Sequence, residues 1–226
     1  MDFNKYKNSY VTTIENSLQF TGKEHDFFTQ VKAEFLKKII KTYLPNVPKP
    51  SLLDIGCGHG LIHKHLRDTN LEIVGVEVAD EVLELAQQSN PGVTYQVHNG
   101  NTLPFKKEQF DIAITICVMH HVVPSEWPNF LREMKRILKP YGIAIIFEHN
   151  PYNPITRYIV ANNILDKDAV LLSSPKLKKM MRHAGFTDVK SRHILFTPFS
   201  NSIFRWLDHT LGFIPFGAQY YSFGRA

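Results

Sequence analysis

"LLDIGCGHG", residues 52–60, decides how this chain is to be read. An apolar run ends in three glycines, Gly56, Gly58 and Gly60, and two potential metal ligands, Cys57 and His59, stand between them. The stretch is either a strand running into a ligand-binding turn or the first half of a metal site. Glycine lets the backbone turn sharply and lets a ligand approach with no Cβ in the way. In an open parallel sheet, ligands gather at the carboxyl ends of the strands where the strand order reverses. The spacing here is G-x-G-x-G after Asp54, whereas dinucleotide binders show G-x-G-x-x-G to cradle a pyrophosphate. A carboxylate at Asp54 repels a pyrophosphate and suits a cationic ligand.

Outward from this stretch the chain alternates. "SLLDIGC" (51–57), "EIVGVEV" (72–78), "VTYQVHN" (93–99), "FDIAITIC" (110–117) and "GIAIIFEH" (142–149) read as strands. "LIHKHLRDT" (61–69), "DEVLELAQQ" (80–88) and "SEWPNFLREMKRIL" (125–138) read as helices between them. Strands apolar on both faces and separated by helices imply a parallel sheet covered on both sides. Before them, residues 26–44 space Phe27, Phe28, Val31, Phe35, Leu36, Ile39 and Ile40 as an amphipathic helix, with Asp26 as cap and Pro45 as stop.

After them, residues 150–173 show no sustained period and read as a long insert over the strand ends, of the kind that forms lids and binding loops. A helix follows, with Ser174 as cap, Pro175 at its first position and Gly185 past its end. "TDVKSRHILF" and "AQYYSFGRA" close as strands, with an aromatic helical stretch near "SIFRWLDHTLGF" between them. The whole, 1–226, reads as one domain: a helical cap (1–48), a ligand-binding core (49–149), the insert (150–173), and a C-terminal helix and strands (174–226).

Composition sets the limits. Of 226 residues, 43% are hydrophobic and 21% charged, which is globular and far from disorder. The net charge of +5 is spread over helix faces such as Lys37, Lys38 and Lys41, so no concentrated nucleic-acid surface is expected. Two cysteines make no disulfide framework, which fits a reducing cytoplasm. No apolar run approaches the length of about 18 residues that a membrane span needs, and the first residues lack the apolar segment of an export signal.

Glu77 ends the second strand about 20 residues beyond Asp54, where an acidic side chain accepts hydrogen bonds from ribose hydroxyls. A ribose, a positive charge and no phosphate together describe S-adenosylmethionine. At this point the chain resembles the class I S-adenosylmethionine-dependent methyltransferases over nearly its whole length. "LLDIGCGHG" resembles their glycine-rich first motif and "HNGNTLPFKKEQFDIAIT" their D-x-x-x-L-P-F…F-D-x-V segment. "CVMHHV" is similar to their L-H-H-V strand end and "ILKPYGIAIIFEHNP" to their L-K-P-G-G strand.

The resemblance implies a Rossmann-like, doubly wound, mostly parallel seven-stranded sheet with an antiparallel C-terminal strand and helices on both faces. It also implies that Gly56, Gly58 and His59 line the methionine moiety, with Asp54, Cys57 and Gly60 in the same turn. Glu77, beside Val78, takes the ribose, while Asn99 and Gly100 face the adenine and Cys117 offers its carbonyl to the adenine amino group. Two residues depart from the family. Asn99 stands where Asp is usual, keeping a carbonyl acceptor without the charge, and Tyr141 replaces the first glycine of the G-G turn, away from the cofactor.

Cys57, His59, His63 and His65 suggest zinc at first sight, but Cys57 belongs to the cofactor turn and His65 points away from His63. No metal site is expected, and these histidines are read as surface or cofactor-lining. His120 and His121 follow the fourth strand, and Glu148, His149 and Asn150 end the fifth, so all are candidates for the acceptor side of the cleft. His121 or His149 would be the base for a hydroxyl acceptor. Tyr152, Asn153, Arg157 and Tyr158 are lid candidates. Phe196, Phe199, Phe204, Trp206 and Phe213 read as core and pocket wall, leaving room for an apolar or lipid-linked small-molecule substrate.

The favoured function is methyl transfer to a small molecule, with the acceptor atom O, N or C open. A nicotinamide-dependent reductase and a non-catalytic cofactor-binding partner protein are the alternatives. The N-P-P-Y or D-P-P-Y motif of nucleic-acid amino methyltransferases is absent after the fourth strand.

Overall fold

A computed structural model describes residues 25–197 and 210–226. Its centre is a seven-stranded sheet: β1 (Ser51–Ile55), β2 (Glu72–Glu77), β3 (Thr94–Val97), β4 (Phe110–Ile116), β5 (Leu138–His149), β6 (Thr187–Ile194) and β7 (Gln219–Arg225). The spatial order is β3-β2-β1-β4-β5-β7-β6. The first five strands pair in parallel, and β7 is antiparallel to both its neighbours. The expected doubly wound sheet is therefore present. The chain steps from β1 out to β3 and crosses back to β4, so β1 and β4 flank the point where the order reverses.

Period-two alternation divides the central strands between two cores. Leu52, Ile112, Ile114, Ile143, Ile145 and Phe147 face one side. There they meet Val31, Phe35, Leu36 and Ile39 of helix α1 (His25–Tyr43). Leu53, Ala113, Ala144 and Ile146 face the other, against Trp127, Leu131 and Met134 of α3 (Trp127–Arg136) and Leu177 and Met181 of α5 (Ser174–His183). Helix α2 (Asp80–Ser89) buries Val82, Leu83 and Ala86 between β2 and β3 in the chain.

Four local readings change. Residues 61–69 hold only one 3-10 turn, His63–Leu66, because the His63 side chain is drawn down onto the strand end and Thr69 closes the turn onto the Leu66 carbonyl. The insert contains a regular helix, α4 (Pro154–Asn162), capped by the Asn153 side chain on Thr156 N at 2.9 Å. Asn followed by Pro is a helix-start signal, and it was masked by the other turn-formers around it. The α5 cap position is Ser173 rather than Ser174, and no side-chain bond caps it; Gly185 ends the helix as expected, at φ 89°. The first eight residues of the aromatic stretch "SIFRWLDHTLGF" lie outside the described residues, as do Phe199, Phe204 and Trp206, and Phe213 is exposed rather than core. No helix among the described residues is long and apolar enough to cross a membrane.

Trp127 fixes the turn after β4. It is 1% exposed, and its indole N–H donates to the carbonyls of Met119 (2.8 Å) and Val122 (3.0 Å). Trp127→Phe leaves those carbonyls short of a donor beside a small void. It should cost about 2–3 kcal/mol, read from urea unfolding; an unchanged midpoint would show that the indole does not hold the turn. At the other end of the sheet, the Asp111 carboxylate accepts from Ser51 N (2.9 Å), Ser51 Oγ (2.7 Å) and Lys139 Nζ (2.8 Å), joining β1, β4 and β5. Burial opposes its charge, but the Lys139 and Ser51 bonds outweigh burial and hold its pKa below the usual carboxylate range. Its contribution is therefore complete above the unfolded value of about 4 and lost as pH falls through the lower folded value. Asp111→Asn should flatten the acid limb of stability measured against pH, and an identical slope would contradict this.

Candidate active site

The backbone sets the glycine turn. Gly56 N and Cys57 N both donate to the Val76 carbonyl, at 2.8 and 3.0 Å, so the turn hangs from the end of β2. Gly56, Gly58 and Gly60 all adopt left-handed φ, at 73°, 50° and 64°. A Cβ on Gly56 would overlap the Val118 side chain, and one on Gly60 the Tyr95 hydroxyl, whereas one on Gly58 would meet nothing within 4 Å. Two glycines thus serve close packing, and the third opens onto the cleft.

Beneath the turn lies a closed polar network. Asp54, 2% exposed, meets His63 Nε2 through Oδ2 at 3.0 Å. His63 Nδ1 bonds the Tyr95 hydroxyl at 2.7 Å, and the Asn90 amide donates to that hydroxyl and to the Gly60 carbonyl. His63 is 1% exposed, which corrects its reading as a surface or cofactor-lining histidine. His65 binds Asp26 at 2.8 Å on the other side of the turn. Burial, with Asp54 and Glu77 adding to it, pushes the Cys57 thiol well above its ordinary value. Glu77 accepts from Gly58 N (3.0 Å) and Val78 N (2.7 Å), clasping the turn from the end of β2.

A cavity of ≈ 190 Å³ opens from this turn toward the ends of β4 and β5. Asp54, Gly56, Cys57, Gly58 and His59 form one wall, and Cys117, His120, His121 and His149 another. The second wall is a charge cluster. Glu148, fully buried, accepts from Met119 N at 2.8 Å and holds His120 Nδ1 at 2.6 Å. His120 Nε2 lies 3.4 Å from Asp166 Oδ1, and His121 Nε2 lies 3.4 Å from the same oxygen. The His149 ring packs against His120 with centroids 5.1 Å apart, and its Nδ1 is 3.4 Å from the Gln219 amide. Burial works against a charged His120, but Glu148 and Asp166 outweigh it and hold its pKa well above the ordinary value. Burial and the neighbouring His120 push both His121 and His149 down to about 4.

The structure brings some sequence candidates together and separates others. Asn99 and Gly100 are exposed; Asn99 Oδ1 caps its own loop on Asn101 N and Thr102 N, and Gly100 lies beside Val78 at a smaller neighbouring pocket. Asn150 is fully buried and joins the insert to the Pro215 and Gly217 carbonyls. Asn153 caps α4 and donates to the Phe216 carbonyl. Tyr152 is exposed, and Arg157 and Tyr158 line an outer groove. The insert instead reaches the cleft through Thr156, Ile159, Asn163, Leu165 and Asp166, and α1 contributes Thr29 and Lys32. Sequence reading missed these. Thr29 and Lys32 were legible only as polar residues on the buried face of an amphipathic helix, and Asp166 gave no local signal at all.

Residues 53–146 match a family described as "Methyltransferase domain". An uncharacterized methyltransferase of Synechocystis is 28% identical over 149 residues, covering 63% of this chain and 69% of its own. A ubiquinone biosynthesis O-methyltransferase of Roseobacter denitrificans is 24% identical over 189 residues, covering 76% and 73%. Among solved structures, a SAM-dependent methyltransferase of Thermotoga maritima aligns over 99% of this chain and 97% of its own with a TM-score of 0.70, at 22% identity, a likeness of fold. The matched domain runs from within β1, through the glycine turn and the β4 end, to within β5, so the part of the chain that carries the turn and these strand ends is a class I S-adenosylmethionine-dependent methyltransferase domain.

Proposed function

We propose that the chain methylates a small, largely apolar molecule held between the glycine turn and the His121 and His149 wall. One observation carries this reading: a single cavity has the turn on one side and the histidines on the other, with Phe28, Ile62, Ile116, Ile159 and Leu165 between them. The turn fits the cofactor. Gly58 leaves open space where a side chain would stand, and Asp54 Oδ1 is buried there without a hydrogen-bond partner among the described residues, an anionic atom suited to an ammonium group. In this reading Asp54, Gly56, Cys57, Gly58 and His59 hold the methionine side and Glu77 the ribose hydroxyls, while Val78, Asn99, Gly100 and the Cys117 carbonyl border the adenine. Bound S-adenosylmethionine supplies a methyl group already activated on a sulfonium.

The chain's own residues then have two tasks, alignment and exclusion of water. Apolar side chains from α1, α4 and the turn after α4 cover the cavity. His121 and His149 offer imidazoles to a hydrogen-bonding acceptor, with His120 and Glu148 locking the wall behind them. Two free cysteines that form no disulfide with one another fit a reducing, cytoplasmic setting.

Calorimetric titration of the purified chain should show binding of S-adenosylmethionine and none of NADH. Gly58→Val, which puts a β-branched side chain into a left-handed position and into the cradle, should weaken that binding by at least about tenfold. Heat with NADH alone would overturn the cofactor site. Given labelled cofactor and cell extract, the label should enter the small-molecule fraction, and recovery in RNA instead would overturn the substrate class. With the acceptor so found, His149→Ala should lower kcat/KM about 100-fold through lost alignment while leaving cofactor affinity unchanged. Activity that survived His121→Ala, His149→Ala and the double change would remove both histidines from the acceptor wall.

A further inference from the structure

We propose that His120, His121 and Asp166 form a binding site for one divalent transition-metal ion, such as Zn²⁺, at the acceptor end of the cleft. A ligand atom from each of the three lies within 4.8 Å of the other two. Both imidazole Nε2 atoms stand 3.4 Å from Asp166 Oδ1. Two ligands at the usual zinc bond lengths of about 2.0–2.1 Å and a tetrahedral angle are separated by about 3.3–3.4 Å, so these pairs already have the spacing of a shared ion. Two imidazoles and one carboxylate are the donor set of intermediate d-block cations, not of Mg²⁺ or Ca²⁺. The set leaves coordination positions free, and the three residues face the cavity.

The atoms behind the ligands are arranged as a metal site requires. A ligating histidine commonly gives its other ring N–H to a carboxylate, which fixes the tautomer and aims the free nitrogen. His120 does this, with Nδ1 2.6 Å from Glu148 Oε2, and Glu148 is held in turn by Met119 N. Asp166 is oriented the same way: its Oδ2 accepts from the Asn163 amide at 2.7 Å, leaving Oδ1 toward the histidines. Val170 N donates to the His120 carbonyl at 2.8 Å, tying the insert that carries Asp166 to the turn that carries both histidines. Glu148 and Asp166 together balance the charge of a divalent ion.

An ion there would polarise an oxygen acceptor beside the glycine turn. That substrate preference rests on the methyl-transfer reading above, whereas ion binding does not.

The purified chain, stripped with a chelator and titrated with Co²⁺, should develop visible ligand-field absorption that saturates at one equivalent and disappears when Zn²⁺ displaces the cobalt. Asp166→Asn and His121→Gln should abolish the band while retaining calorimetric binding of S-adenosylmethionine as a sign of an intact fold. Glu148→Gln should weaken Co²⁺ binding about 10- to 100-fold. His183→Gln, on the exposed end of α5, should change nothing. Absence of a saturable band in the unmodified chain overturns the site whatever the variants do, and so does full binding by a folded Asp166→Asn chain. A chain that binds Co²⁺ stoichiometrically but transfers no methyl group keeps the metal site and loses the acceptor reading.

Discussion

Glu148 places a carboxylate at the carboxyl end of β5 with no exposure to water. A charge in that position survives only if hydrogen bonds and an opposite charge replace its hydration, and meeting this need organises the whole wall of the cleft opposite the glycine turn. One oxygen takes Met119 N and so fixes the first residue of the 3-10 turn Met119–His121 that follows β4. The other takes His120, which couples the turn to β5. His120 then meets Asp166, which draws the insert over the strand ends. Burial opposes the charge on Glu148, but His120 outweighs it and holds the pKa below the ordinary carboxylate value. Breaking a buried pair of this kind costs about 3–5 kcal/mol, so the wall of the cleft is also part of what keeps β4, β5 and the insert together.

The fold was largely legible because its signals are local and repeated. Leu52 and Leu53 sit next to each other in sequence and enter opposite cores, and the same alternation recurs in Ile112–Ile114 and Ile143–Phe147. Strands apolar on both faces can belong only to a sheet covered on both sides. The glycine turn was legible for a related reason: three left-handed positions demand glycine, and their spacing alone separates this turn from a dinucleotide loop. The family match to residues 53–146 sets aside the nicotinamide alternative that the sheet and Glu77 had left open.

The wall opposite the glycine turn was only half legible. His120, His121, Glu148 and His149 were found because strand ends in a parallel sheet point to the crevice. Asp166 and Asn163 were missed because they reach it through a helix and a 3-10 turn inside an insert whose turn-forming residues hid its periodicity. Asn150, Asn153 and Arg157 were assigned to substrate on proximity in sequence. Two of them are spent on backbone carbonyls and a helix cap, and the third faces an outer groove. A polar side chain next to a site in sequence is as available to the backbone as to a ligand, and only the burial of the neighbouring carbonyls decides between them.

Two histidine–carboxylate pairs stand near the cleft, one beneath the glycine turn and one on the opposite wall, and they differ in what their second ring nitrogens meet. In both, a buried carboxylate holds one imidazole nitrogen, Asp54 on His63 and Glu148 on His120. The second nitrogen of His63 ends on the Tyr95 hydroxyl, a neutral partner locked by Asn90 and sealed from the cavity, so the pair is complete and structural. The second nitrogen of His120 ends on Asp166, which it shares with His121 at the cavity wall. A phenol closes one network, whereas a shared carboxylate leaves the other facing the cleft. The donor set proposed for a metal ion therefore belongs to the wall opposite the glycine turn, to residues whose meeting depends on the insert folding over β4 and β5.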